Sequence, residues 1–405
     1  MSIRKREWQT PKGENRLAWL VDYTDASGNR RHKQFQRKKE AEAFETKTRH
    51  ELQQGLHTPD RQSIMIEQAG DNWIARARRE GLEESTIDPY RQHLDLHILG
   101  KDADGKPQSP LAGRRLNQLS TPEIEKFRDW LLDNGRSRAM AKRVLGSLSA
   151  ILNEAQRHGF VARNVAKGVT VKISGREKAK VVPPTKAQIR LLIEAAGDAD
   201  ARPMDKPMML VLLFAGLRAS ELRGLAWSNV DLKAGSLTID QRADRKNVIG
   251  PPKSKSGFRT IPIPQFVVQE LKAWKLRCRP SVLDLVFPSE RGTPIFHANI
   301  GIGFLQPVQQ RAGLVVPQMR AGKPVRDSEG QPVMRGLFTL HDFRHACASL
   351  WIEQHVVPKR VQTWMGHHSI QVTFDTYGHL FESADQDAGV MAALEAGIMG
   401  AANER

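Results

Sequence analysis

LHDFRHACASLWIEQHVVPKRVQTWMGHHSIQVTFDTY, residues Leu340 to Tyr377, is the stretch on which the reading of this chain turns. Apolar residues recur at helical spacing from His341 to Leu350, so His341 and Arg344, three apart, share one face and can reach one ligand oxygen together. A Gly366-His367 pair follows, and ten residues beyond it stands Tyr377, one of three tyrosines in the chain. Imidazoles, a guanidinium and a phenol in this order form a set able to hold a phosphodiester and attack it. Taken singly, each feature has an ordinary structural explanation. His-x-x-Arg is common on helix surfaces, Gly-His ahead of a polar turn is unspecific, and His368 suits an exposed position. A tyrosine often caps a core with its hydroxyl in water.

Working upstream, MLVLLFAGLRASELRGLAWSNVDL (Met209 to Leu232) places Arg218 and Glu221 at i and i+3. In isolation that is an exposed helical ion pair worth about 0.2–0.5 kcal/mol. Its placement argues otherwise, because Arg218 follows a nearly continuous apolar helix and a glycine and so projects from a buried support. Between the two stretches, Leu237 to Gln241 and Phe258 to Ile263 read as paired strands connected through Pro251-Pro252-Lys253-Ser254-Lys255-Ser256-Gly257. A lysine on such a turn is a mobile cation that can be delivered into a cleft, or simply a solvated surface group.

The composition frames these features. Over 405 residues the chain carries 62 Lys and Arg against 45 Asp and Glu, a formal charge of +17, with 40% hydrophobic residues. That length predicts several domains with packed cores, and that charge points to a polyanionic partner, nucleic acid first. No apolar run approaches the roughly 18 residues of a membrane span, and Met1 to Arg6 leads into polar sequence without a signal-like core, so a soluble, cytoplasmic, nucleoid-associated protein with no membrane partner is expected. Cys278 and Cys347 lie far apart without metal-ligand spacing and read as reduced thiols. The sequence offers no metal cluster and no phosphate-cradling glycine loop, and none is expected as cofactor site.

Taken in order, the chain predicts a multidomain α+β protein. Residues 1–57 read as a small basic β-hairpin with a helix: Leu17, Trp19, Val21 and Tyr23 alternate, Asp25 to Asn29 turn, Arg30 to Phe35 return, and Ala41, Phe44 and Leu52 give a helical stripe. Such a two-stranded ribbon fits a major groove. Leu56 to Gln62 reads as a linker. Residues 63–168 are helical, with apolar stripes through Ile66, Trp73 and Ile74, through Tyr90, Leu94 and Ile98, and through Ile124, Phe127 and Leu131 after a Thr121-Pro122 start. A further helix joins Arg136, Arg138, Lys142 and Arg143 to Val144, Leu148, Ile151 and Leu152, a basic entry on a packed face suited to a phosphate backbone. Residues 169–184 end in Pro183-Pro184 and read as a linker; Thr185 and Gln188 then form a capping-box pattern that opens a third domain at 185–390. Leu314 to Arg335 is a polar inserted loop or hairpin, and residues 391–405 form a tail in which the stripe through Val390, Met391, Leu394 and Ile398 can pack on its own domain or on a neighbouring protomer.

The order of motifs is more specific than any of its parts. Arg218 in GLRASEL, a lysine in PKSKSGFRTIPIP, HDFR, MGHHS and TFDTY together resemble the tyrosine recombinase (phage integrase) family over about residues 185–390. Residues 63–168 look like that family's helical core-binding domain and residues 1–57 are similar to its arm-type DNA-binding domain, while the third domain corresponds to its mainly α catalytic domain with a small antiparallel sheet. The resemblance implies Tyr377 as nucleophile, Arg218, Lys253, His341, Arg344 and His367 as the remaining catalytic set, and Glu221 as support for Arg218. Lys255 competes with Lys253, and the family's hairpin pattern favours Lys253.

That chemistry requires these residue types. Charge developing on phosphoryl oxygens is met by two guanidiniums. A phenol of ordinary pKa near 10 needs a cationic site and an imidazole to lose its proton, with His341 as base or relay. Lys253 would protonate the leaving 5′-oxygen while His367 bonds the phosphate. The resemblance therefore implies a site-specific DNA recombinase of a mobile element or prophage, integrating or excising it through a 3′-phosphotyrosine. The implied partners are double-stranded DNA at core and arm sites, a tetramer on that DNA, and an accessory bending or directionality factor. A type IB topoisomerase-like relaxing enzyme and a non-catalytic DNA-binding protein are the alternatives.

Overall fold

Charge, not apolar alternation, dominates the first strand. The structure, a computed structural model, describes residues 1–10, 15–25, 28–55, 57–172, 182–320 and 322–381. It divides into two units, Met1–Ala179 and Lys180–Arg405. In the first, β1 (Ser2–Gln9), β2 (Asn15–Thr24) and β3 (Arg30–Phe35) form an antiparallel sheet in that order, with Ile3 opposite Val21 and Val21 opposite Lys33. The expected hairpin is thus three-stranded. Strand β1 was illegible because SIRKREWQ is exposed along most of its length and carries no buried face. Within β2, Ala18, Leu20, Val21 and Tyr23 are buried, whereas Leu17 is exposed. Helix α1 (Lys38–Gln53) lies against this sheet, burying Ala41 and placing Phe44 against Tyr23 and Phe35.

The helical part of the same unit comprises α2 (Ile66–Arg79), α3 (Glu84–Gln92), α4 (Thr121–Asp133) and α5 (Arg138–Arg157), with a π-helical turn at His93–Ile98 continuing α3. Their apolar stripes, including Ile66, Ile74, Ile98, Phe127, Leu148 and Leu152, form one core. Helix α4 is capped one residue earlier than the Thr121-Pro122 pattern predicts. Ser120 is the cap, its backbone N–H donating 2.8 Å to Glu123 in a capping box, so that Thr121 and Pro122 occupy the first turn.

The second unit is built on α6 (Lys186–Ala196), α7 (Asp205–Ala215) and α8 (Ala219–Gly224). The predicted Thr185–Gln188 capping box opens α6. Strands β4 (Val230–Asp231), β5 (Ser236–Ile239), β6 (Arg242–Ala243), β7 (Ile249–Gly250) and β8 (Arg259–Pro262) follow. The three-stranded sheet runs β4-β5-β8, with Leu237 opposite Ile261; β6 pairs with β7 as a separate ribbon that the two-strand reading did not anticipate. Helices α9 (Gln265–Lys275), α10 (His297–Ile300) and α11 (Gln306–Arg311) lead to β9 (Val315–Pro317), β10 (Met319–Arg320), β11 (Lys323–Pro324) and β12 (Met334–Gly336). The pairing of β9 with β12 and of β10 with β11 makes the 314–335 insertion a hairpin. The last described helices are α12 (Leu340–Glu353), α13 (Pro358–Met365) and α14 (Ile370–Tyr377). Helix α7, apolar on every side, is the axis of the core and packs on α12 and α9. The apolar stripe expected in the tail lies outside the described residues, as does most of the expected 169–184 linker.

Candidate active site

Helix α7 stops at Gly216, whose φ of +58° is left-handed. Any side chain there would be strained, and a Cβ would meet Cys347 Sγ at 3.1 Å. The chain then reverses and places Arg218 in extended conformation as the cap of α8. Glu221 reaches back from the first turn, accepting 2.8 Å from the Arg218 backbone N–H and 2.7 Å from its guanidinium. The pair is not a surface bridge: the Glu221 side chain is 3% exposed and that of Arg218 39%.

Arg344 comes from the buried face of α12 and is itself 2% exposed. Its guanidinium donates 2.6 Å to the Gly216 carbonyl and also to the Met365 carbonyl. Arg218 donates 2.8 Å to the carbonyl of Gly366, the second left-handed glycine, at φ +62°. Both arginines therefore sit at helix carboxyl termini, where unpaired carbonyls favour cations. Burial first, and then the neighbouring Arg218, pull Arg344 down to about 9, which still leaves it charged at neutral pH. Two guanidiniums held side by side leave a positive potential that an anion would relieve.

A third arginine completes the frame. Arg259, on the inward register of β8, has a side chain only 1% exposed. It donates 3.0 and 2.7 Å to the two Glu221 oxygens, 2.9 Å to the Gly257 carbonyl and 2.7 Å to the Trp364 carbonyl. One guanidinium thus ties the hairpin to α8 and to the end of α13. Burial raises the Glu221 carboxyl, but the Arg259 hydrogen bonds and charge, reinforced by Arg218 and Arg344, outweigh it and hold the group at about 2.

The imidazoles and the phenol close the site. His367 Nδ1 lies 3.0 Å from the buried Thr373 hydroxyl, and burial, followed by Arg344 and Arg218, lowers the ring to about 4. His341, at the start of α12, is solvent-exposed on one side with its ring partly enclosed, bordering a cavity of 640 Å³ with Arg218, His297 and Arg335; that partial enclosure and then Arg344 lower its pKa. On α12 the Arg344 side chain is buried and His341 lies at the exposed start of the helix, where the charges of both Arg344 and Arg218 reach its ring. Tyr377, 4% exposed, packs with Ala348, Ile352, Val361 and Met365. Its hydroxyl is not in water but 2.7 Å from Nδ1 of His345. Burial raises the phenol pKa and Arg344 opposes the rise. Lys253 and Lys255 are both exposed, the latter opening the 3₁₀ turn Lys255–Gly257. Cys278 and Cys347 are free thiols.

Residues 185–384, which carry every one of these side chains, match the model of the phage integrase family. The chain belongs to the phage integrase family. Among integrase-family relatives, a tyrosine recombinase XerC-like protein of Caldanaerobacter subterraneus is 24% identical over 90% of this chain and 92% of its own length. The ICEBs1 integrase of Bacillus subtilis is 25% identical over 77% and 86%. The solved Tn1549 transposon integrase, in complex with a circular intermediate DNA, superimposes with a TM-score of 0.64 at 20% identity over 82% of this chain and all of that one. A lambda integrase dimer bound to a core site gives 0.56 at 18% over 93% and 94%. These structures share the fold.

Two residues of this integrase-family site escaped the sequence reading. Arg259 was legible in principle, because in FRTIPIP it takes an inward position between outward ones, and a buried arginine demands a carboxylate and carbonyls. His345 follows Arg344 directly, and only the packing of Tyr377, at the end of α14, against α12 and α13 reveals that it meets the phenol.

Proposed function

We propose that this chain is a site-specific DNA recombinase that cleaves and rejoins DNA through a covalent 3′-phosphotyrosine, integrating or excising a mobile element. The convergence of Arg218 and Arg344 on the two glycine turns, beside the buried Tyr377, carries the reading. The two guanidiniums bind the scissile phosphate and stabilise the charge that grows on its oxygens. Tyr377 Oη attacks phosphorus while the P–O5′ bond breaks, and Lys253, on the exposed hairpin, protonates the departing 5′-oxygen. His367 bonds a phosphoryl oxygen, and His341, on the solvent side of α12, relays protons. The phosphotyrosine conserves the bond energy, so a second 5′-hydroxyl rejoins the strands without ATP.

Residues 1–57 are assigned to arm-site DNA, 63–168 to core-site DNA, and 185–390 to catalysis, with 169–184 joining them. The basic composition supports a phosphate-backbone partner. The solved lambda integrase tetramer on a Holliday junction, similar in fold at a TM-score of 0.54, supports a tetramer on DNA. An accessory DNA-bending or directionality factor is a further proposed partner. Among the described residues no helix is long and apolar enough to cross a membrane, which agrees with action on cytoplasmic, nucleoid DNA.

The test is a nicked duplex carrying the junction sequence that flanks the gene, incubated with the protein and resolved in denaturant. Wild type is expected to trap a covalent protein–DNA adduct and Tyr377→Phe none. An adduct with Tyr377→Phe would show that another residue is the nucleophile.

A further inference from the structure

We propose that His345 is the immediate acceptor of the Tyr377 phenolic proton during strand cleavage and returns it during rejoining. The inference rests on the reading of Tyr377 as nucleophile and assigns a role to a residue outside the set that reading uses. Three observations carry it.

The first is contact with the reacting atom. His345 Nδ1 lies 2.7 Å from the Tyr377 hydroxyl, an ordinary length for a hydrogen bond accepted from O–H. His367 directs Nδ1 to the Thr373 hydroxyl instead, and His341 is on the exposed end of α12. The second is geometry around the ring. His345 is 9% exposed and Tyr377 4%, so water has little access to this hydroxyl and a proton leaving it needs a protein acceptor. The third is the onward neighbour. His341 stands edge-on to His345 with ring centroids 4.5 Å apart, and it is exposed, so the next imidazole along α12 leads toward solvent.

The groups facing His345 are His341, Asp342 and Arg344 from α12, His367 from the turn after α13, and Tyr377 from α14. Burial first and His341 next lower His345 to about 4, so in the DNA-free chain the ring is neutral at physiological pH. With its own proton on Nε2, it accepts at Nδ1. The electron and proton balance is complete. As Oη–P forms, the phenolic O–H breaks and its proton moves to Nδ1; as P–O5′ breaks, O5′ takes a separate proton from the hairpin lysine. In rejoining, the 5′-hydroxyl attacks phosphorus and gives its proton back to the neutral hairpin lysine, the P–Oη bond breaks, and the imidazolium returns its proton to the departing phenolate. An anionic phosphate bound beside His345 stabilises that imidazolium, which links proton acceptance to the presence of DNA.

The experiment measures the rate of adduct formation on the nicked duplex for wild type, His345→Ala, His345→Asn and Tyr377→Phe, alongside non-covalent DNA binding by mobility shift. His345→Ala is expected to bind DNA as wild type does and to form adduct about 100-fold more slowly, the scale of one general base. Added imidazole should restore part of that rate. His345→Asn keeps a polar contact but cannot take a proton, and should stay slow. A packing role would not respond to imidazole. The proposal is overturned if His345→Asn reacts at close to the wild-type rate, if imidazole restores nothing to His345→Ala, or if both variants lose DNA binding, since His345 would then be a packing residue. An adduct that persists in Tyr377→Phe, or fails to form in wild type, would instead bring down the assignment of the nucleophile.

Discussion

A carboxylate with 3% exposure between two arginines controls how Arg218 is held, and its ionisation makes that control depend on pH. Glu221 sits at about 2 in the folded chain against an ordinary value of 4.5. A carboxyl depressed on folding stabilises the fold above its unfolded pKa, and this contribution disappears as pH falls through the folded value. The window is therefore pH 4.5 down to about 2, and the free energy at stake is about 3 kcal/mol. Urea unfolding of wild type should lose stability across that window. Glu221→Gln should be less stable at pH 7, because it leaves Arg259 buried without its counter-charge, and should show a flatter acid limb. Equal slopes in the two proteins would mean that Glu221 is not the titrating group.

Elements meet at this site through their ends. Helices α7 and α13 both terminate in left-handed glycines, and the carbonyls they leave unpaired inside the helix receive Arg344 and Arg218. At Gly366 the requirement is twofold: φ is +62°, and a Cβ would come within 2.9 Å of the Ser256 carbonyl on the hairpin and 3.0 Å of Arg259. Gly366→Ala should cost about 1–2 kcal/mol from backbone conformation alone, with the clash adding to it. Gly378→Ala is the control, since its φ is −51° and its Cβ would meet nothing within 4 Å. Thermal unfolding of the two variants checks the difference. Covalent adduct formation should fall with Gly366→Ala as well, because the same turn carries His367 and accepts from Arg218.

At the scale of the whole molecule, the +17 charge sets the character of binding. Neutralising DNA phosphates releases condensed counterions, so the logarithm of affinity should fall linearly with the logarithm of salt concentration. Six or more phosphate contacts would lower affinity by on the order of a thousandfold between 50 and 200 mM salt. A mobility-shift titration at several salt concentrations measures the slope, and a flat dependence would contradict backbone-dominated binding.

Much of this was readable from residue order. The apolar run from Met209 reads as a buried helix, the capping pattern of Thr185 and Gln188 opens another, and the five motifs from Arg218 to Tyr377, taken in order, carried the resemblance to the family. Local pattern failed where burial is set by a distant partner. Strand β1 has no buried face of its own and pairs only because β2 is there; Glu221 looks like half of a surface pair until Arg259, from a strand 38 residues on, closes over it. The phenol of Tyr377 reads as a core cap until the end of α14 is packed among residues of α12 and α13 and its hydroxyl meets His345. Sequence alone singled out Arg218, Glu221, His341, Arg344, His367 and Tyr377, and passed over Arg259 and His345. Only the tertiary structure decided which of them touch, because hydrogen bonds between groups far apart in the chain depend on packing that no local periodicity encodes.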